Sequence, residues 1–160
     1  MDLILWRHAE AGDDISDEDP DSDLERPLKS KGERQAQRVA EWLNQFLPSS
    51  TRVLSSPALR CVQTAEALGR RVKKVAALGP EGSVEGLLAA VRWPESKEPV
   101  LVVGHQPTLG MTAAYLMAGE AARHGEPWSI KKGSVWWLRH RPREGRAEVQ
   151  IIAVRTAEGL

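Results

Sequence analysis

The chain has 160 residues, with 22 Lys+Arg against 22 Asp+Glu and a formal net charge of zero. A chain of that length folded as one domain buries roughly 68–70% of its unfolded surface, and balanced charge argues against a generic nucleic-acid or anionic-membrane binder. The balance hides an uneven distribution: residues 13–25 hold eight acids and no Lys or Arg, which leaves 22 basic against 14 acidic groups elsewhere.

In chain order, Leu3-Ile4-Leu5-Trp6 is the first apolar run, and its lack of polar alternation predicts a strand covered on both faces. The acidic stretch 13–25 follows as a mobile loop. Ala36, Val39, Ala40, Leu43, Phe46 and Leu47 recur at three and four residues, so a helix is expected there. Ser30 and Glu33 form its capping box, and Pro48 limits its end. Arg52-Val53-Leu54 reads as a second strand, followed by a helix from Pro57 with Ser56 as N-cap and Gly69 near its end. A third helix is expected over 81–91, a third strand over Val100-Leu101-Val102-Val103, and a fourth helix from Pro107 to about Met117. Ser134 to His140 and Glu148 to Val154 read as a hairpin with a longer loop through Arg141-Pro142-Arg143-Glu144-Gly145-Arg146. Trp136 and Trp137 should face opposite sides of it. These elements predict an α/β fold over residues 1–160 as a single domain. It is a three-layer sandwich with a mostly parallel central sheet, helices on both faces and a C-terminal hairpin.

Cys61 is the only cysteine, which excludes an intramolecular disulfide and a four-thiolate zinc site and suits a reducing, cytoplasmic setting. A signal peptide is not expected, because Asp2 and Arg7 interrupt the first residues. No apolar run reaches the ~18 residues of a membrane span.

Two buried strands end alike: the first runs into Arg7-His8 and the third into Gly104-His105. In open α/β sheets ligands bind beyond the carboxyl ends of the strands. The second strand ends at Ser55-Ser56-Pro57, with Arg60 on the first turn of the next helix, and helix N-termini attract anions. Two imidazoles and two guanidiniums thus gather where a phosphoryl group would bind.

The residues that meet there also resemble a known family. Leu3-Ile4-Leu5-Trp6-Arg7-His8-Ala9 is similar to the opening strand and Arg-His-Gly signature of the histidine phosphatase superfamily, whose fold is that of the phosphoglycerate mutases. The segment from Ser55 to Ala65, with Arg60 and Gln63-Thr64-Ala65, resembles the second signature. Val102-Val103-Gly104-His105-Gln106-Pro107 resembles the third, and Arg26-Pro27-Leu28 with Gly32 and Gln35-Ala36 also matches. The short length points to the SixA-type phosphohistidine phosphatases.

That resemblance implies His8 as a nucleophile forming a covalent phosphohistidine, Arg7 and Arg60 as clamps on the phosphoryl oxygens, and His105 as a second imidazole donor. Arg26 and Gln106 would bind substrate, and no metal or cofactor is implied. Ala9 stands where the signature has glycine, which is tolerable if its φ is negative. Glu81 lies where many relatives keep a proton-donating acid, but its surroundings match poorly and its simpler reading is a helix first-turn acid. Without a positioned acid, an alkoxide leaves poorly while a phosphorylated imidazole leaves readily.

The expectation is therefore a phosphohistidine phosphatase acting as a monomer on a phosphohistidine-bearing protein, such as a phosphotransfer domain, with inorganic phosphate as product. The alternatives are a small-molecule phosphate-ester phosphatase and a low-activity phospho-partner binding module. Asp17, Asp19, Asp21 and Asp23 alternate like calcium ligands but lack the glycine and glutamate of that loop. Arg139, His140, Arg141, Arg143 and Arg146 read as a solvated hairpin tip.

Overall fold

The computed structural model of the protein describes residues 1–12 and 20–160. Its elements are β1 (Asp2–Arg7), α1 (Pro20–Leu24), α2 (Ser30–Asn44), β2 (Arg52–Ser55), α3 (Leu59–Glu66), β3 (Val72–Lys74), α4 (Val84–Val91), β4 (Val100–Gly104), α5 (Thr108–Ala118), β5 (Val135–Arg143) and β6 (Arg146–Arg155). One six-stranded sheet runs in the order β3-β2-β4-β1-β5-β6. The first four of these strands are parallel, while β5 is antiparallel to β1 and β6 to β5. The expected α/β sandwich is thus the observed architecture.

The unbroken apolar run of β1 has its explanation in the two cores. Ile4 and Trp6 join Val39, Ala40, Leu43, Cys61 and Ala65, so α2 and α3 cover one face. Leu3 and Leu5 join Leu87, Val91, Leu109 and Ala113, so α4 and α5 cover the other. A leucine-sized side chain cut to alanine in such a layer costs roughly 2–5 kcal/mol. Trp137 belongs to the first core and Trp136 packs against the second, on opposite sides of the hairpin as the sequence predicts.

Several local expectations are corrected. The β5–β6 connection is not a longer loop: the strands pair as far as Arg143 and Arg146, leaving Glu144 and Gly145 as a two-residue turn. Both have positive φ, 49° and 77°, the conformation that matches the twist of a tight hairpin. The helix expected from Pro57 starts at Leu59, because Ala58 is extended and Ser56 Oγ accepts the Ala58 N–H at 3.1 Å. The helix expected from Glu81 starts at Val84, capped by Ser83, whose hydroxyl accepts the Gly86 N–H at 3.0 Å. At α2 the N-cap is Lys29 with no side-chain cap, so the Ser30–Glu33 capping box does not form. Strand β3 had no counterpart in the sequence reading; it is three residues long and mostly exposed. Of the acidic stretch 13–25, residues 13–19 lie outside the described residues, and with them most of the expected mobile loop and two of the four alternating aspartates, Asp17 and Asp19. The remainder includes the helix α1 rather than irregular chain.

No helix among the described residues is long and apolar enough to cross a membrane.

Candidate active site

Strands β1 and β4 are in register to their last residues, Arg7 opposite Gly104, and the His8 N–H donates to the Gly104 carbonyl at 3.1 Å. The next residue on each strand is a histidine, so the register alone brings His8 and His105 together; their ring centroids are 5.4 Å apart. Strand β2 ends beside β4, where the Ser56 N–H donates to the Val103 carbonyl at 3.0 Å. From there α3 carries Arg60 back to the same edge of the sheet. Arg7, His8, Arg60 and His105 therefore converge, three of them less than a tenth exposed.

His8 Nδ1 lies 2.8 Å from the Ala9 carbonyl. A carbonyl only accepts, so in the neutral ring Nδ1 carries the proton and Nε2 keeps its lone pair. Burial, reinforced by the charges of Arg60, Arg7 and Lys132 and opposed by the Ala9 carbonyl, lowers the His8 pKa to about 4. Near neutral pH the ring is uncharged with a free Nε2, as a nucleophile requires.

The segment bearing His8 is fixed from outside. The Ala9 N–H donates to Thr64 Oγ1 at 3.1 Å, and that hydroxyl donates to the Arg60 carbonyl at 2.7 Å. One threonine thus ties the His8 loop to the helix bearing Arg60. The Glu10 N–H donates to Gln35 Oε1 at 3.0 Å, and the Glu10 carbonyl accepts the Lys29 N–H at 3.0 Å. Any Cβ at Gly32 would overlap the Glu10 carbonyl, so only glycine lets α2 come this close. Ala9 is fully buried and is not among the described residues with positive φ, so its methyl group is compatible with the turn.

Both arginines have spare donors. Arg7 Nη1 donates to the Ile130 carbonyl at 2.9 Å, and Arg60 Nη1 and Nη2 donate to the Asp23 carbonyl at 2.7 Å and to Asp23 Oδ2 at 3.2 Å. The Nε of each is buried with no hydrogen-bond partner among the described residues. A buried N–H without an acceptor costs about 1–3 kcal/mol. Two of them on cations at one sheet edge fit an oxyanion ligand.

Arg26 stands one step further out. Its Nε donates to Asp23 Oδ1 at 3.0 Å and its Nη1 to the Gly12 carbonyl at 2.8 Å, so Asp23 bridges Arg26 and Arg60. Burial would raise the Asp23 pKa, but the charge of Arg60 and the Arg26 hydrogen bond outweigh it and hold the carboxyl below its usual value. Asp23 is one acid among eight in the stretch 13–25, and its spacing marked it only as one of four alternating aspartates, not as a partner of Arg60.

His105 is 4% exposed. Its Nε2 lies 2.8 Å from Ser56 Oγ and 3.5 Å from Cys61 Sγ, while its Nδ1 lies 3.4 Å from Arg60 Nη2. Burial and the positive charge of Arg60 lower its pKa to about 3. Burial pushes the Cys61 thiol up to about 12, which leaves it unreactive as a thiolate.

The remaining expected residues fall outside this cluster. The Gln106 amide is engaged at both ends, its Nε2 donating to the Trp128 carbonyl and its Oε1 accepting the Gly110 N–H, each at 2.8 Å. It braces the start of α5. Glu81 is exposed on a cleft of about 480 Å³ that shares Asp23 with the site and is otherwise lined by Leu24, Pro57 and the 76–82 loop. Among the described residues no group of three His, Cys, Asp or Glu side chains could hold a metal ion.

Residues 3–80 match the family model described as histidine phosphatase superfamily, branch 1. The phosphohistidine phosphatase SixA of Escherichia coli K12 is 32% identical over 129 residues, covering 75% of this chain and 76% of the relative. An uncharacterised protein of Picosynechococcus is 36% identical over 157 residues, covering 94% of this chain and 89% of the relative. The solved structure of a protein histidine phosphatase SixA complexed with tungstate superposes with a TM-score of 0.78 at 25% identity, covering 99% of each chain.

Proposed function

The chain belongs to the histidine phosphatase superfamily and is a phosphatase, and from that premise we propose that its substrate is phosphohistidine on a protein. In this reading residues 1–160 act as one catalytic domain, as a monomer, in the cytoplasm. The carrying observation is the His8 ring, with Nδ1 bound to the Ala9 carbonyl, under the charges of Arg7 and Arg60, whose Nε groups have no partner among the described residues.

The reaction has two displacements. His8 Nε2 attacks phosphorus, a new N–P bond forms, and the bond from phosphorus to the substrate imidazole breaks with its electron pair returning to that ring. A proton on the far nitrogen of the leaving ring makes the departing group neutral imidazole. Water then attacks the phosphoryl group on His8, releasing inorganic phosphate and restoring free Nε2. Arg7 and Arg60 hold the equatorial oxygens, and His105 donates to them. Arg26 keeps Arg60 in place through Asp23. In this reading the arginine charges do the work that a metal ion would otherwise do, and a chelator leaves the rate unchanged.

The leaving group decides between substrates. An ester oxygen needs a proton as it departs. The site cluster holds two arginines and two histidines whose pKa values are lowered to about 4 and about 3. Asp23 is held as a carboxylate by the two arginines, and Glu81 is an exposed side chain. A phosphorylated imidazole needs none of these as an acid. The likeness to two SixA proteins supports the same substrate class, and tungstate, bound by one of them, is an oxyanion of the kind the arginine pair would hold.

The test is a comparison of kcat/KM for a phosphohistidine-bearing protein and for a series of phosphate esters. A clear preference for the phosphohistidine protein is expected. Faster ester hydrolysis, sharply reduced by Glu81→Gln, would move the assignment to an ester phosphatase.

A further inference from the structure

Ser56 is fully buried at the end of β2, and its own N–H is bonded to the strand that carries His105. Its Oγ already accepts the Ala58 N–H at 3.1 Å, so its single proton is left to give. The nitrogen within hydrogen-bond distance is His105 Nε2, at 2.8 Å. Cys61 Sγ also stands 3.5 Å from Nε2, but a protonated thiol is a weak partner beside a hydroxyl.

The opposite ring nitrogen, Nδ1, lies 3.4 Å from Arg60 Nη2, a group that only donates. Facing Arg60 directly, Nδ1 serves as acceptor, and the ring proton sits on Nε2 and points to Ser56. An oxyanion gripped by Arg60 reverses the demand, because its oxygens need a donor on Nδ1. A serine hydroxyl suits both arrangements, accepting from Nε2–H in the first and donating to bare Nε2 in the second.

We propose that Ser56 is a positioning residue that sets the tautomer of His105, donating to Nε2 so that the ring proton stands on Nδ1, towards the bound phosphoryl group. His8 and His105 are then held in complementary ways. A carbonyl that cannot donate keeps the proton on Nδ1 of His8 and frees Nε2 for attack. A hydroxyl that can donate turns the ring of His105 into a donor when an anion arrives. The inference rests on the proposed donor role of His105, but not on which phosphorylated substrate the enzyme prefers. The charged and titratable groups around His105 are Arg60, His8, Asp23, Arg7 and the Cys61 thiol, and Ser56, at 2.8 Å, is the nearer of the two uncharged partners of Nε2 that can exchange donor for acceptor.

The direct readout is the ¹⁵N NMR signature of the His105 ring in the full chain with orthovanadate bound. The wild type is expected to show Nδ1–H with unprotonated Nε2, and Ser56→Ala to shift the ring towards Nε2–H. On an aryl phosphate, kcat of Ser56→Ala should fall by about tenfold, the scale of one hydrogen bond, with KM within about twofold. Ser56→Thr, which keeps the hydroxyl, should restore the Nδ1–H signature. A vanadate-bound wild type in the Nε2–H form would overturn the proposal without needing any variant to fold. A Ser56→Ala protein with the wild-type signature would overturn it as well. A correct tautomer together with poor activity on phosphohistidine proteins would contradict the substrate assignment instead.

Discussion

Two concentrations of positive charge in the protein behave in opposite ways. At the hairpin tip Arg141, Arg143 and Arg146 are exposed, and Arg143 lies 3.8 Å from Glu148. Nearby Arg139 is satisfied by Asp2, with contacts of 2.7 and 2.9 Å. At the carboxyl edge of the parallel strands, Arg60 is 3% exposed, and both it and Arg7 keep a buried Nε with no partner among the described residues. Exposed cations are solvated by water and screened by salt, so their contribution is small. Buried cations with spare donors are incomplete until an anion arrives. Two incompletely bonded cations with buried Nε groups, converging on two imidazoles, rather than the number of positive residues, separate this site from the surface.

The sharpest way to break this contrast is to remove one buried cation. Arg60→Ala should lower kcat by about 10²–10³-fold, as when one preorganised donor to a developing oxyanion is deleted. Steady-state kinetics on any hydrolysed substrate checks it, and a loss under tenfold would place Arg60 with the hairpin arginines.

The next effect is on stability and follows from the two buried imidazoles. Their folded pKa values, about 4 and about 3, lie below the ordinary 6.5, so the unfolded chain binds more protons in between. The stabilising contribution is complete above pH 6.5 and is lost as pH falls towards 4. For His8 alone it is on the order of 3 kcal/mol. The lowered carboxyls of Asp2 and Asp23 act in the same direction but only below the ordinary carboxylate value of 3.8. Chemical denaturation at pH 7 and pH 5 should show the fall, and His8→Asn should reduce it by about half, leaving the part due to His105. The same protonation should switch off activity on the acid side.

A smaller change tests the coupling between the two halves of the site. Thr64→Val leaves the Ala9 N–H without its acceptor and cuts the tie to the Arg60 carbonyl. It should cost about 1–3 kcal/mol in stability and reduce activity as well. The smallest expected effect is at the other cluster. Replacing Arg141, Arg143 and Arg146 together by glutamine should change stability by no more than about 0.5 kcal/mol per site and leave aryl-phosphate hydrolysis unchanged. A large loss of activity there would erase the distinction.

How much of this was legible in the sequence depends on how local each signal is. β1 and β4 could be read because both faces are covered, so the apolar runs are unbroken. Their shared ending in histidine pointed to one edge of the sheet, where the structure brings Arg7, His8, Arg60 and His105 together. Features that depend on a distant partner were not legible. Asp23 is distinguished from its acidic neighbours by Arg60, 37 positions away, and by Arg26. Ser56 read as a helix cap, yet its hydroxyl reaches His105, 49 positions on. Gln106 sits within the third signature, but contacts with Gly110 and Trp128 occupy its amide. The tight hairpin turn was hidden because Glu144, unlike glycine, gives no local warning of a positive φ.

The central claim is that phosphoryl transfer passes through His8 Nε2. Its most direct test is to quench the enzyme during turnover of a radiolabelled phosphohistidine protein and map the label. The account predicts an acid-labile, alkali-stable phosphoryl group on His8, absent from His8→Ala, whose turnover should fall by roughly 10⁴-fold or more. Turnover that persists in His8→Ala, or a label on any other residue, would contradict it.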